Sequence, residues 1–163
     1  MINIIETYPV TELLDCYFKI EKNIVWTCYG DNKKQAGLQF KEGEDPWTSA
    51  VGRSNGGELE YTNLNLFFKD TLFEEVINQY TLKRTRLVWL SPMSCYSMHK
   101  DTTPRIHIPM ITNLECYFVF KQGIIQHMPV GSVYWTNTVN LHTFMNCSTE
   151  SRLHLIGVVD AAN

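Results

Sequence analysis

The two halves of the chain differ in the period of their hydrophobic positions. In residues 10–22 (VTELLDCYFKIEK), Leu13, Leu14, Tyr17 and Phe18 recur every three to four residues. That spacing predicts an amphipathic helix, with Thr11 placed to cap its N-terminus. Residues 23–30 (NIVWTCYG) read as a strand ended by a turn. Residues 70–81 (DTLFEEVINQYT) return to the helical period through Leu72, Phe73, Val76 and Ile77, and Thr71 and Glu74 have the spacing of a capping box. Between these segments, residues 43–60 (GEDPWTSAVGRSNGGELE) hold Gly, Ser, Pro and Asn with little apolar periodicity. A long loop is expected there, and long loops inside compact domains are more often functional than incidental.

From about residue 84 the period falls to two. RTRLVWLSP, RIHIPMI, CYFVF, GIIQHMP, SVYWTNT, HTFMN and RLHLIGVV are short, rich in β-branched and aromatic residues, and separated by Pro, Gly, Asn or Ser. This run predicts an all-β sandwich or barrel, with the N-terminal helices packed on its outside. In RIHIPM, Arg105, His107 and Pro109 share one face and Ile106, Ile108 and Met110 the other. RLHLIGVV repeats the pattern, with Arg152, His154, Ile156 and Val158 opposed to Leu153, Leu155 and Val159. Burying both apolar faces in one layer leaves the arginines and histidines on the other side; if that side is a barrel interior, two arginines and two histidines converge there. Buried guanidinium groups need anionic partners, and a dicarboxylate ligand can supply them in bidentate fashion.

The 163 residues suit a single domain, 1–163, with its core at about 84–160 and the helices and loop in 1–83. The hydrophobic share of 44% and charged share of 19% argue against disorder, and a net charge of −3 gives no support for nucleic-acid binding. No apolar run approaches the roughly 18 residues of a membrane span, and MINIIETYPV lacks a basic leader region. Cys16, Cys28, Cys95, Cys116 and Cys147 are odd in number and never spaced C-x-x-C, so a reducing cytoplasm is expected.

Candidate chemistry gathers in YSMHKDTTPRIHIPM. Alternate residues of an extended segment project to one side, so His99 and Asp101 can grip one ion. Such pairs are common on surfaces by chance, and a third ligand is required. His142 opens the strand candidate HTFMN. Two imidazoles and a carboxylate form the facial set of non-haem Fe(II) oxygenases, and the same set also suits catalytic zinc.

With Arg152 ten residues beyond His142, the arrangement resembles the Fe(II)/2-oxoglutarate-dependent oxygenases. RLVWLSPMSCYSMHKD, RIHIPMITN and GSVYWTNTVNLHTFMNCSTESRLHLIGVVD carry the resemblance, over about residues 84–160, and are most similar to the aspartyl/asparaginyl β-hydroxylase-like branch that includes free-proline hydroxylases. The resemblance implies a mainly β (α+β) fold, a jelly-roll or cupin-like double-stranded β-helix. It implies O₂-dependent hydroxylation, with His99, Asp101 and His142 as iron ligands and catalytic centre. Arg152 and His107 would hold 2-oxoglutarate, and Arg105 a substrate carboxylate. Two positions depart from the aspartyl hydroxylases, which have glycine where Asp101 stands and a co-substrate serine near Val88. Asp101 points instead to the small-molecule hydroxylases of the branch.

No acidic neighbour for Arg105 is evident in the sequence, and residues 45–57, with Trp47 and Arg53, are expected to close over the substrate. A free amino acid or similar small carboxylate is the favoured substrate. An Asp, Asn or other protein side chain is the alternative, and a non-catalytic or zinc-binding cupin-like module the alternative from another class. His154 suits a structural role and a site role equally. His127 and Lys100 are expected in solvent, Trp89 and Trp135 in the core, and Asn137 and Asn146 at turns.

Overall fold

A computed structural model describes residues 2–54 and 57–160; Asn55 and Gly56, part of the expected lid, lie outside the described residues. In chain order the elements are β1 (Ile2–Thr7), α1 (Val10–Ile20), β2 (Thr27–Cys28), β3 (Lys33–Gly37), β4 (Gln39–Phe40), β5 (Asn63–Leu64), α2 (Leu72–Gln79), β6 (Lys83–Leu90), β7 (Ser94–Cys95), β8 (Arg105–Ile111), β9 (Cys116–Phe120), β10 (Ile125–Gln126), β11 (Ser132–Thr136), β12 (His142–Asn146) and β13 (Arg152–Val158). The main sheet runs β1-β11-β8-β13-β6-β3-β2 and the second β10-β9-β12-β7, with antiparallel pairing throughout both. The period-two run predicts a sandwich or barrel, and the two facing antiparallel sheets form the double-stranded β-helix that the resemblance implies. No helix among the described residues is long and apolar enough to cross a membrane.

The alternation in β8 and β13 decides what each layer contains. Ile106, Ile108 and Met110, with Leu153 and Leu155, join Val10, Leu13, Tyr17, Phe73 and Val76 in one hydrophobic core, so α1 and α2 cover the outer face of the main sheet. Removing this apolar area from water, at roughly 25 cal/mol per Å², is the largest stabilising contribution. The opposite face looks toward the second sheet, across a smaller core of Leu90, Phe118, Phe120, Met128, Tyr134 and Phe144. Arg105, His107, Arg152 and His154 lie on that inner face, each at most 3% exposed. The turn from β12 to β13 is held by Asn146, whose amide donates to the carbonyls of Leu90, Ser91 and Glu150 while its oxygen accepts from Ser148.

Several local expectations are corrected. The first helix starts at Val10 with Pro9 at the cap position and no side-chain cap. The locked φ of proline, here −74°, is already close to helical, so the turn begins before Thr11. Thr71 precedes α2 without capping it; its hydroxyl donates back to the Phe68 carbonyl, and the Glu74 carboxylate accepts from the Asp70 amide instead. Only Thr27 and Cys28 of residues 23–30 form a strand. Strands β1 and β3 have no counterpart in the sequence reading. INIIET is exposed at five of six positions, and KKQAG carries no apolar alternation, so pairing with β11 and with β6 is what defines them.

The loop that follows β4 is pinned against the barrel. Gly37 donates its amide to the Trp47 carbonyl at 3.0 Å, and a Cβ at Gly37 would lie 2.7 Å from the Pro46 oxygen, so glycine permits the approach. Arg86 donates to the Ala50 carbonyl at 2.8 Å and Arg84 to the Gly52 carbonyl at 2.7 Å. At the loop's far end Glu58, 6% exposed, accepts from Arg84 at 2.5 Å, from Arg105 at 2.6 and 2.9 Å, and from the hydroxyls of Thr102 and Thr103 at 2.6 Å each.

Burial by itself pushes the Glu58 carboxyl up. The hydrogen bonds and charge of Arg105, with the threonine hydroxyls, outweigh it and hold the group at about 2, against an ordinary value of 4.5. Because the folded value lies below the unfolded one, the stabilisation is complete above about pH 4.5 and is lost as pH falls toward 2. Urea midpoints measured across that window should fall with pH, and the fall should be smaller in Glu58→Gln. An equal fall in the variant would mean that the acid sensitivity resides elsewhere.

Candidate metal centre and its buried cations

The segment before β8 runs beside β12 and is fastened to it by backbone hydrogen bonds. The His99 and His142 amides each donate to the other's carbonyl at 2.9 Å, and the Asp101 amide donates to the Thr138 carbonyl at 2.9 Å. This bridge sets the two imidazole rings 4.4 Å apart, centroid to centroid. One ligand atom from each of His99, Asp101 and His142 falls within 4.8 Å of the others. His99 Nδ1 lies 2.7 Å from the Ser97 carbonyl oxygen and His142 Nδ1 lies 2.8 Å from that of Asn140. A carbonyl only accepts, so each Nδ1 carries the proton and each Nε2 keeps its lone pair for an ion. His142 Nε2 is buried without a hydrogen-bond partner, 3.8 Å from Asp101 Oδ2. Burial also pushes the His142 imidazolium down, which favours the neutral form that metals require. Phe118 stacks on the His142 ring at 4.9 Å and 16°, fixing its plane.

His99 and Asp101 line a small cavity together with Gln35, Arg86, Val88, Tyr96, Arg105, His107, Phe144, Arg152 and Ile156. Gln35, Arg86, Tyr96, His99 and Asp101 also line an outer cleft of about 580 Å³. Arg152 reaches the cavity from the start of β13. One terminal nitrogen donates to His154 Nδ1 at 2.8 Å, the guanidinium lies 4.7 Å over the Phe144 ring, and the other terminal nitrogen is buried without a partner. Burial lowers this group to about 10, so it is charged at neutral pH, and among the described residues it forms no ion pair. His154 thus orients the arginine. His107 is 1% exposed, both its ring nitrogens lack partners among the described residues, and burial holds it neutral.

The expectation that Arg105 has no acidic neighbour is overturned. It forms a two-point pair with Glu58, and one terminal nitrogen lies 3.2 Å from Asp101 Oδ1. The loop that delivers Glu58 carries no periodic signal, which is why the sequence conceals the pair. The role in substrate binding expected of Trp47 is corrected as well. Half-buried, its ring packs on Phe67 and Phe68 at 5.1 and 5.7 Å and lines neither the cavity nor the cleft, while Asp45 Oδ1 accepts from the amides of Trp47 and Thr48. Arg53 is exposed on the outer cleft.

Other residues divide as follows. His127 is half-buried, with Nδ1 2.9 Å from the Cys116 carbonyl, whereas Lys100 is exposed. Trp89 and Trp135 pack at the margin of the larger core. Sequence reasoning missed Arg86. Its Nε is buried without a partner, it makes no ion pair among the described residues, and burial with repulsion from Arg84 and Arg105 lowers it to about 9. The signal was present: Arg84, Arg86 and Val88 alternate in RTRLV as Arg105 and His107 do in RIH.

No protein-family model matches the chain, and no curated protein matches its sequence. Solved structures do resemble it. An oxidoreductase of the 2OG-Fe(II) oxygenase family from Burkholderia pseudomallei has a TM-score of 0.62 at 13% identity, covering 96% of this chain and 82% of that one. HygX from Streptomyces hygroscopicus, solved with nickel, 2-oxoglutarate and hygromycin B bound, has a TM-score of 0.56 at 10% identity, covering 96% and 81%. The DMSP lyase DddQ from Ruegeria pomeroyi has a TM-score of 0.53 at 11% identity, covering 100% and 80%. One fold can carry different reactions, so at these identities the likeness identifies the double-stranded β-helix and leaves the chemistry to the side chains.

Proposed function

We propose that the protein is an Fe(II)- and 2-oxoglutarate-dependent oxygenase that hydroxylates a C–H of a small carboxylate substrate such as a free amino acid. The observation that carries this reading is Arg152, a buried and charged guanidinium without an acidic partner among the described residues, lining the same cavity as His99 and Asp101. Burying an uncompensated cation is costly unless an anion arrives to meet it. A hydrolytic zinc site of the same three ligands has no need of that cation.

In this reading His99, Asp101 and His142 hold the ion and Arg152 takes the far carboxylate of 2-oxoglutarate. His107, neutral and with both ring nitrogens unpartnered among the described residues, would offer its N–H to the co-substrate. Phe118 and Phe144 keep the inner wall dry, which strengthens the charged contacts. When bound, Fe(II) and 2-oxoglutarate together supply the oxidising power that converts O₂ into a C–H hydroxylating agent. The substrate carboxylate is assigned to Arg86, because Arg84 and Arg105 are already paired with Glu58. The outer cleft, walled by residues 52–54, 96–102 and Arg86, suits a compact substrate better than a long peptide.

Anaerobic addition of Fe(II) and then 2-oxoglutarate should give a weak visible charge-transfer band that is absent from folded His99→Ala and Asp101→Ala. A band unchanged in these variants would remove both residues from the ligand set. Arg152→Ala should weaken 2-oxoglutarate binding about 10- to 150-fold, the equivalent of roughly 1.5–3 kcal/mol for a charge-assisted pair; unchanged affinity in a folded variant would place the clamp elsewhere. With a panel of free amino acids and short Asp or Asn peptides, succinate release and the gain of one oxygen should occur together on a free amino acid, and Arg86→Ala should raise its KM. Turnover of peptides alone would assign the protein-side-chain alternative.

A further inference from the structure

The iron ligand Asp101 competes for its own neighbour. Arg105 Nη2 stands 3.2 Å from Asp101 Oδ1, and an arginine beside a carboxylate ordinarily takes both oxygens in a fork. Here the fork is engaged by Glu58, with Nη2 at 2.6 Å from Oε1 and Nη1 at 2.9 Å from Oε2. Thr103 Oγ1, 2.5 Å from Nη1, blocks rotation of the guanidinium from the other side. Asp101 therefore meets the guanidinium through a single ion-pair contact, on Oδ1, and its Oδ2 stays turned toward His142 Nε2. Glu58 also accepts the hydroxyls of Thr102 and Thr103, the two residues that follow Asp101, and Thr138 donates to the Thr103 carbonyl while accepting the Asp101 amide. The backbone that carries the ligand is thus fixed from the same point as the cation that would capture it.

We infer that Glu58 is a positioning residue for the metal: by occupying the fork of Arg105, it keeps that guanidinium from seizing both oxygens of Asp101 and leaves one of them for the ion. The inference rests on the metal reading of His99, Asp101 and His142. It also gives the loop before Glu58 a role other than covering the substrate, because the residue at its end, 43 positions before Asp101 in sequence, sets the state of a ligand.

The test is Co(II) affinity by calorimetry in the apo full-length chain, with the thermal midpoint recorded alongside. Glu58→Gln should raise the Co(II) dissociation constant about tenfold or more, the usual scale for loss of a residue that orients a ligand. Glu58→Gln combined with Arg105→Gln should recover most of that loss, because the competing cation is gone. A merely structural Glu58 would not give this rescue, since the double variant removes still more of the buried network. If Glu58→Gln does not fold, Glu58→Asp carries the comparison; it keeps the charge but withdraws the fork acceptors by one methylene, and should weaken Co(II) several-fold, again relieved by Arg105→Gln. Wild-type affinity in the single variant, or a double variant as weak as the single one, would overturn the inference. Wild-type protein that binds no Co(II), or binds it equally after His142→Ala, would instead remove the metal reading on which it stands.

Discussion

Besides the exposed Arg53, four guanidinium groups, those of Arg84, Arg86, Arg105 and Arg152, line one cavity and its adjoining cleft, and among the described residues the carboxylates of Glu58 and Asp101 are the acids that line it with them. The remainder of the site is arranged around that imbalance. Charge removed from water must be matched nearby, so the two internal acids are shared out with care. Glu58 pairs with Arg84 and Arg105 together, Asp101 takes a single contact from Arg105, and Arg86 and Arg152 form no ion pair among the described residues. Both unanswered groups stay protonated at neutral pH despite their burial.

The barrel makes this tolerable because it separates two kinds of interior. Apolar residues on the outer face of β8 and β13 pack against α1 and α2 and stabilise the fold. The inner face can then carry cationic and imidazole side chains, since Phe118, Phe120 and Phe144 from the second sheet close around them. The second sheet also supplies rigidity. His142 is held in the β9–β12 ladder and His99 is clipped to it by two backbone hydrogen bonds, so neither ring depends on a free loop for its position. Carbonyls fix both tautomers before any ion arrives, which is the preorganisation a metal site needs.

The loop after β4 joins these two themes. Its backbone carbonyls at Ala50 and Gly52 take one donor each from Arg86 and Arg84, and Gly37 lets it lie close on the sheet. It forms the wall of the cleft, and through Glu58 it reaches the residues beside Asp101. A segment that looks dispensable by composition is therefore tied to the arginines on which the charge balance turns.

The period of two after residue 84 determined an all-β sandwich or barrel, between which the tertiary structure decided. It also determined which side chains of β8 and β13 would face inward, because alternation along a strand leaves no other outcome once one face is buried. His99-x-Asp101 was legible for a similar local reason, since both residues lie on one side of an extended segment. Strands β1 and β3 were not legible, because an exposed edge strand and a polar strand acquire their identity from partners. The same limit hid the partner of Arg105. Glu58 lies 47 residues away in a stretch without periodicity, and only the tertiary structure could bring its carboxylate to 2.6 Å. That approach alone decided which arginines are paired within the chain and which two, among the described residues, are not.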